Sequence, residues 1–417
     1  MRAILQYFSL LATTLLLATT AAAQPQTLRV GPEEDYPSIE AALSAADSGD
    51  VVEIHAGTYY EHGLVVDKPL HIRGIGYPVL DAQEQGEILT IIAHDVTVEG
   101  LQLQNVGVSY LKDHAGIRVR QRSRAIIRNN RLVNTFFGIY LERVHEAVIE
   151  NNELSGVLRD EASSGNGIHA WHCEKLDIRD NWVTGHRDGI YFEFVDSSKI
   201  VGNESVGNQR YGLHFMFSNH DEYHHNRFAD NGAGVAVMFS KFIDMWENTF
   251  ENNWGRAAYG LLLKEIYDAR IEDNHFIQNT IGINIEGSTR IVYQRNAFRR
   301  NGWAIKMAGG CLDNDITANN FQSNTLDLVV NSNVNNNTFT GNYWSEYNGY
   351  DLDRDGIGDV PYRPVKLFSY ILDQTPEAIV LLRSFFVSLM NFSEKVSPVF
   401  TPANVLDHQP SMQPLSL

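Results

Sequence analysis

Residues 203–225 read NESVGNQRYGLHFMFSNHDEYHH, and residues 226–247 read NRFADNGAGVAVMFSKFIDMWE. The second segment is the first written again: an Asn, one intervening residue, then Ser205 or Phe228, and further on a glycine that opens a short alternating run. The pattern extends both ways. Asn, one residue, then usually a large apolar residue starts at Asn130 and recurs at Asn152, Asn181, Asn203, Asn226, Asn248, Asn274, Asn296, Asn319 and Asn337. Most steps are 22 or 23 residues. Fixed self-similarity at such a period marks a repeat architecture in which each repeat is one coil wound on the last.

A second column keeps the same register. Gly138, Gly167, Gly189, Gly212, Gly234, Gly260 and Gly282 each precede an apolar residue. The residues one and three after the glycine are apolar, as in Ile139 and Leu141, Leu213 and Phe215, or Ile283 and Ile285. Alternation with period two is a strand with one buried face. Two longer steps are insertions, at 159–166 and near 254–259, and both belong on one side of the cylinder. Asn suits the sharp corners because it tolerates left-handed backbone, and stacked amides bond from coil to coil at ~4.8 Å spacing. The fold expected is all-β: a parallel β-helix, right-handed by the general preference of parallel crossovers.

The formal charge of −18 argues against nucleic acid as a partner and weighs against an acidic polysaccharide. Residues 1–23 read as a secretory signal: Arg2, an apolar core from Leu10 to Ala18, and a small-residue cleavage site at Ala21 to Ala23. The protein is therefore expected in a periplasm or outside the cell. Cys173 and Cys311 fall about six coils apart, roughly 29 Å at strand spacing, too far for a disulfide.

Three further segments set the domain boundaries. After the signal, Ser38 caps a short helix that covers the open end of the first coil, as solenoid ends require. The β-helix occupies 24–362 and closes on an acidic turn. There Asp351, Asp353, Asp355 and Asp359, with Gly356, match positions of a calcium loop, but Tyr362 stands where the bidentate Glu belongs. A plain Asx-turn closure is the other reading. Residues 363–417 hold an apolar stretch, Pro376 to Met390, expected as one helix opened by Thr375 and Pro376, followed by an extended arm. That stretch is shorter than the ~20 residues needed to span a bilayer, and suits either an interfacial, membrane-docking helix or one folded back on the flank.

With the inward positions assigned, the outward ones can be read. Two residues after successive glycines stand Tyr140, His169, Tyr191, His214 and Ala236; four after stand Glu142, Trp171, Glu193, Met216 and Met238. Thioether and imidazole together suit Cu(I), so His169, His214, Met216 and Met238 form the candidate copper set, with His172 beside Cys173 a weaker signal. The plainer reading is that an insertion or a partner covers these side chains. Many β-helices instead act on acidic polysaccharides with clustered carboxylates and a base. Asn219, His220 and Asp221 beside His224 come nearest to that, without a paired-Asp motif. A lyase or epimerase is thus the alternative, and binding without catalysis the main reading.

Several segments carry a resemblance: Gly165 to His169, Arg187 to Tyr191, Arg210 to Phe217 (RYGLHFMF), Gly341 to Ser345 (GNYWS) and Asp353 to Asp359 (DRDGIGD). They resemble the NosD family, periplasmic proteins that serve copper maturation of nitrous-oxide reductase. The tail at His408 to Met412 is similar to that family's His-Pro-x-Met ending, with Gln409 inserted. The resemblance implies a complex with the permease and ATPase subunits of an ABC transporter through the C-terminal segment, and association with the inner membrane by that route. It implies copper received from a lipoprotein chaperone, and help in building the copper-sulfur centres of the reductase apoprotein. It does not name the copper ligands, which rest here on the shared outer face.

Overall fold

The computed structural model describes residues 24–396 and 405–417, apart from 110, 159, 256, 257 and 332–335. The signal segment lies outside the described residues. Three long parallel sheets of 14, 12 and 13 strands run the length of the chain, each coil contributing one strand to each sheet. This is a parallel β-helix. The coils begin at Thr27–Val30, well before the regular repeats. Helix α1 (Ile39–Ala45) is N-capped by the Ser38 side chain and buries Ile39, Ala42 and Leu43 over the first coil, as a solenoid cap does.

The glycine-led strands form the 12-stranded sheet. Residues one and three after each glycine, such as Leu213, Phe215, Val235 and Val237, are fully buried in the lumen. The glycine itself is required by close approach: a Cβ on Gly212 would lie 2.8 Å from the Gly234 carbonyl oxygen of the next coil. In the 13-stranded sheet the apolar residues after each Asn stack along the axis. Phe250, Phe276, Phe298, Phe321 and Trp344 lie nearly parallel, with centroids 4.1 to 4.9 Å apart.

The asparagine column is a ladder. In a typical step the Asn226 amide donates to Asn248 Oδ1 at 3.0 Å and to the Ile200 carbonyl at 2.8 Å, while its backbone N–H donates to the same Oδ1 at 3.1 Å. Two features differ from the sequence reading. The left-handed residue is not the ladder Asn but the one before it, as at Asn129, Asp180, Glu247 and Arg295 (φ 53, 54, 54 and 52°). That residue turns the chain and delivers the Asn to the inside. Secondly, the column continues from Asn319 to Asn342, not to Asn337. Asn337 belongs to a different corner, under Asn314, because the step from Asn319 to Asn337 is too short for a full coil. A second ladder runs through Asn208, Asn231, Asn253, Asn279, Asn301 and Asn324.

Both insertions interrupt the same corner, between the 13-stranded and 12-stranded sheets, as expected; the first holds a 3-10 turn at Glu161–Ser163. Cys173 and Cys311 are free and buried.

The C-terminal region departs most from expectation. The single helix over Pro376 to Met390 is replaced by three pieces: α2 (Leu367–Gln374), a 3-10 turn (Pro376–Leu381) and α3 (Phe385–Val396). The turn closes at Leu382, and Ser384 Oγ then accepts the Val387 N–H to begin α3. Phe368 and Leu372 of α2 pack with Leu326 on the flank of the last coil, and Val387 of α3 joins them. Nor is the tail a free arm. Residues 405–417 return to the final coil, where Asp407 occupies the next rung of the asparagine ladder. Its carboxylate accepts the Asn342 N–H and amide at 3.0 Å each, the Trp344 indole at 3.0 Å and the Gly341 N–H at 3.2 Å. Asn320 pairs with Leu415 through both its amide and its oxygen. Among the described residues no helix is long and apolar enough to cross a membrane.

Candidate functional site

The candidate wall is the outer face of the 12-stranded sheet. Strand register aligns Tyr140, His169, Tyr191, His214 and Ala236 in one column, and Glu142, Trp171, Glu193, Met216 and Met238 in the next. Met216 and Met238 are direct partners on adjacent coils, both half-buried and both outside the lumen. Met245 and Met307, by contrast, are lumen residues. The Tyr191 hydroxyl lies 3.8 Å from the Met216 sulfur.

Both histidines are buried although they face outward, at 9% and 6% exposure for His169 and His214. Aromatic rings bury them. His169 lies between Tyr140 (4.4 Å) and Tyr191 (4.8 Å), and His214 between Tyr191 (4.9 Å) and Tyr211 (4.8 Å). Their polar surroundings differ. His169 Nδ1 meets the Asn166 amide at 2.9 Å. Burial, reinforced by the Arg187 charge, pushes the His169 ring down to about 3, so it stays neutral. Neither ring nitrogen of His214 has a hydrogen-bond partner among the described residues. A buried polar atom with no partner costs roughly 1–3 kcal/mol, so such a group needs a reason.

The structure thus brings His214, Met216 and Met238 onto two neighbouring coils. His169 stands two coils from His214 with the Tyr191 ring between. That is about 10 Å at strand spacing, beyond the reach of one ion bonded at roughly 2 Å.

Asp188 lies behind His214. It is fully buried and accepts Arg210 Nε at 2.9 Å and Nη2 at 2.6 Å. Its Oδ2 is 3.6 Å from His214 Nδ1. Burial would raise this carboxyl, but His214 and Arg210 outweigh it and hold it below the usual carboxylate range. The insertion adds Glu161, 3.7 Å from Arg210. Asp188 sits before its glycine, a position the alternation of outward residues does not reach, and only the preceding-coil register exposes it.

A second missed feature borders the methionines. Phe194, Phe217 and Phe239 follow Glu193, Met216 and Met238 at left-handed corners (φ 54, 52 and 55°). With His172 they form a flat outer stack, at centroid spacings of 4.6, 5.1 and 5.1 Å. The same corner carries Arg143 in an earlier coil and Glu265 and Gly287 in later ones. Left-handed backbone is uncommon for bulky residues. The recurrence of Phe at the coil period was the available signal.

The other candidates separate. Asp351, Asp353 and Asp355 gather their carboxylates within 4.8 Å in the exposed closing turn. Asp359 instead accepts the Leu352 N–H, and Asp351 already accepts from Arg354 and Gly356. Asp221 of the epimerase-like trio is fully buried, accepts the Ser198 N–H and is raised well above the usual carboxylate range by burial, so it is out of reach of a polymer. Burial likewise pushes the Cys173 thiol up to about 12, which removes it as a ready thiolate.

The family model described as "Periplasmic copper-binding protein (NosD)" matches residues 154–349, the coils that carry the wall. A probable ABC transporter binding protein NosD of Pseudomonas aeruginosa is 29% identical over 408 residues, covering 85% of this chain and 86% of the relative. The protein so named from Stutzerimonas stutzeri is 27% identical over 401 residues, covering 85% of each. Among solved structures, the Dettilon tailspike protein superposes with a TM-score of 0.58 at 12% identity, over 71% of this chain and 65% of its own. The Yersinia enterocolitica family 28 exopolygalacturonase gives 0.52 at 12%, over 76% and 78%. Likeness at that identity speaks for the β-helix alone. With the family model seated on the central coils and relatives of one name aligned along most of the chain, this protein is similar to the NosD proteins over most of its length.

Proposed function

We propose that the wall binds Cu(I) as cargo and passes it between protein partners in the periplasm, in the service of assembling the copper-sulfur centres of nitrous-oxide reductase. One observation carries the reading: among the described residues neither ring nitrogen of His214 makes a hydrogen bond, although the ring is buried on an outer face beside two stacked thioethers. A soft sulfur and imidazole set matches Cu(I), and the bound ion would satisfy the orphaned nitrogen. His169, apart and already held by Asn166, serves as a separate station along the same line. The family description and the relatives' names support the copper and transporter parts of this reading.

The partners follow from the same source. The permease and ATPase of an ABC transporter would be met by the C-terminal segment, where Val380, Phe385, Phe386, Phe392 and Val396 are all exposed. A copper chaperone lipoprotein would deliver, and the reductase apoprotein would receive. The role is binding and transfer rather than catalysis. Anaerobic Cu(I) titration against a competing chelator tests it: binding should be present in the native protein and lost in His214→Ala/Met216→Ala. Turnover of a uronate polymer with no retention of copper would overturn it in favour of a lyase or epimerase. The acidic turn is a lesser proposal, a calcium site held by Asp351, Asp353 and Asp355, read by the shift in melting temperature on adding calcium or a chelator.

A further inference from the structure

His214 could hold an ion through either ring nitrogen, and the choice decides which way the ion must lie. A neutral imidazole carries one proton, so one nitrogen donates and the other offers a lone pair. The partner of the protonated nitrogen fixes the tautomer. Three facts bear on this. Asp188 is fully buried and its Oδ2 faces His214 Nδ1 at 3.6 Å. Arg210 grips the same carboxylate with two hydrogen bonds, and the Tyr211 N–H adds a third at 3.3 Å. The ring is held between Tyr191 and Tyr211, which leaves it little freedom to turn over.

Building on the cargo site proposed above, we infer that Asp188, clamped by Arg210, is a positioning residue that keeps the His214 proton on Nδ1 and reserves Nε2 as the metal-binding atom. A carboxylate accepts but cannot donate, so it rewards only the tautomer with a proton on the facing nitrogen. Arg210 holds the carboxylate against rotation through two hydrogen bonds, so that Oδ2 stays facing the ring. The arrangement is that of a carboxylate–histidine–metal relay, in which loss of the outer partner commonly weakens metal binding 10–100-fold. The sequence offsets fit as well: Asp188 and His214 lie on adjacent coils, so the contact exists only when the coils stack in register.

The test has two arms on the full mature chain. In the first, the protein is labelled with 15N at histidine and kept metal-free, and two-bond proton–nitrogen correlations report each tautomer. His214 is assigned by the signal lost in His214→Gln. The native protein should show Nδ1 protonated, and Asp188→Asn, whose amide can donate to Nδ1, should move the proton to Nε2. In the second, Cu(I) competition should show a 10–100-fold weaker affinity for Asp188→Asn, with Met216 and Met238 untouched. An Nε2 proton in the native protein, or a tautomer unchanged in Asp188→Asn, overturns the inference. If the native protein takes up no Cu(I), the cargo reading falls while the first arm still decides the role of Asp188. Should Asp188→Asn fail to fold, Arg210→Gln carries the same test, because it loosens the carboxylate without removing it.

Discussion

Two polar columns run along this β-helix, and they obey opposite rules. In the asparagine ladder, rungs from Asn130 to Asn342 both accept and donate, and Asp407 closes the last rung. On the outer wall, His214 is buried too but makes no hydrogen bond among the described residues. A repeat can satisfy every polar group by writing the same residue in the next coil. A buried group left unsatisfied in such a scaffold therefore stands out against its own neighbours. Cutting the ladder should cost stability and leave binding chemistry alone, while changing the wall should do the reverse.

The largest effect is expected at the ladder's end. Asp407→Ala leaves the Asn342 N–H and amide, the Trp344 indole and the Gly341 N–H without their acceptor, all beneath a fully buried position. Removing a buried, charged acceptor of several donors costs about 3–5 kcal/mol. Urea unfolding should show the loss. Because residues 405–417 would also be released from the last coil, protease sensitivity should rise there. A midpoint unchanged from the native protein would mean that Asp407 is not a rung.

Next comes a polar group that the repeat does not match. Asp327 stands at the last coil in the position that Gly212 and Gly282 fill earlier, and it is buried. Burial pushes its carboxyl up to about 6, opposed by the Asn324 amide and Lys366. A folded value above the unfolded one means that the favourable contribution is present at low pH and lost as pH rises through about 6. Asp327→Asn should therefore be the more stable protein at pH 8, by roughly 2–3 kcal/mol, with the difference closing by pH 4. Parallel unfolding curves at the two pH values check this; a pH-independent difference would sink it. Mid-stack, Phe276→Leu should cost about 1–2 kcal/mol, because the ring lies 4.6 and 4.9 Å from its neighbours.

How much of this was legible is a matter of period. The coil length, the lumen residues and the outward set of His214, Met216 and Met238 follow from spacing, since alternation fixes which face each residue takes. The misplaced Asn337 shows the limit: a motif match at the wrong step cannot be told from a rung until strands are paired. Asp188 was hidden because its partner is 26 residues away on the next coil. The tail was hidden for a related reason. Asp407 replaces an Asn rung by chemistry rather than by repeat, after an excursion through α2 and α3. The separation of His169 from His214 by the Tyr191 ring also needed the register, not the spacing.

The smallest effect on stability is the one that sharpens the contrast most. His214→Leu removes a ring whose two nitrogens make no hydrogen bond among the described residues and substitutes an apolar group of similar bulk between Tyr191 and Tyr211. Loss of ring contacts and of the facing charge on Asp188 opposes the gain from deleting an unsatisfied polar group. The two terms are of similar size, so the net change should fall within about 1 kcal/mol of zero, against several for Asp407→Ala. Cu(I) retention should nonetheless disappear. If His214→Leu instead unfolded the protein as readily as a broken rung does, His214 would be a structural residue after all. The wall would then differ from the ladder in composition only, and not in purpose.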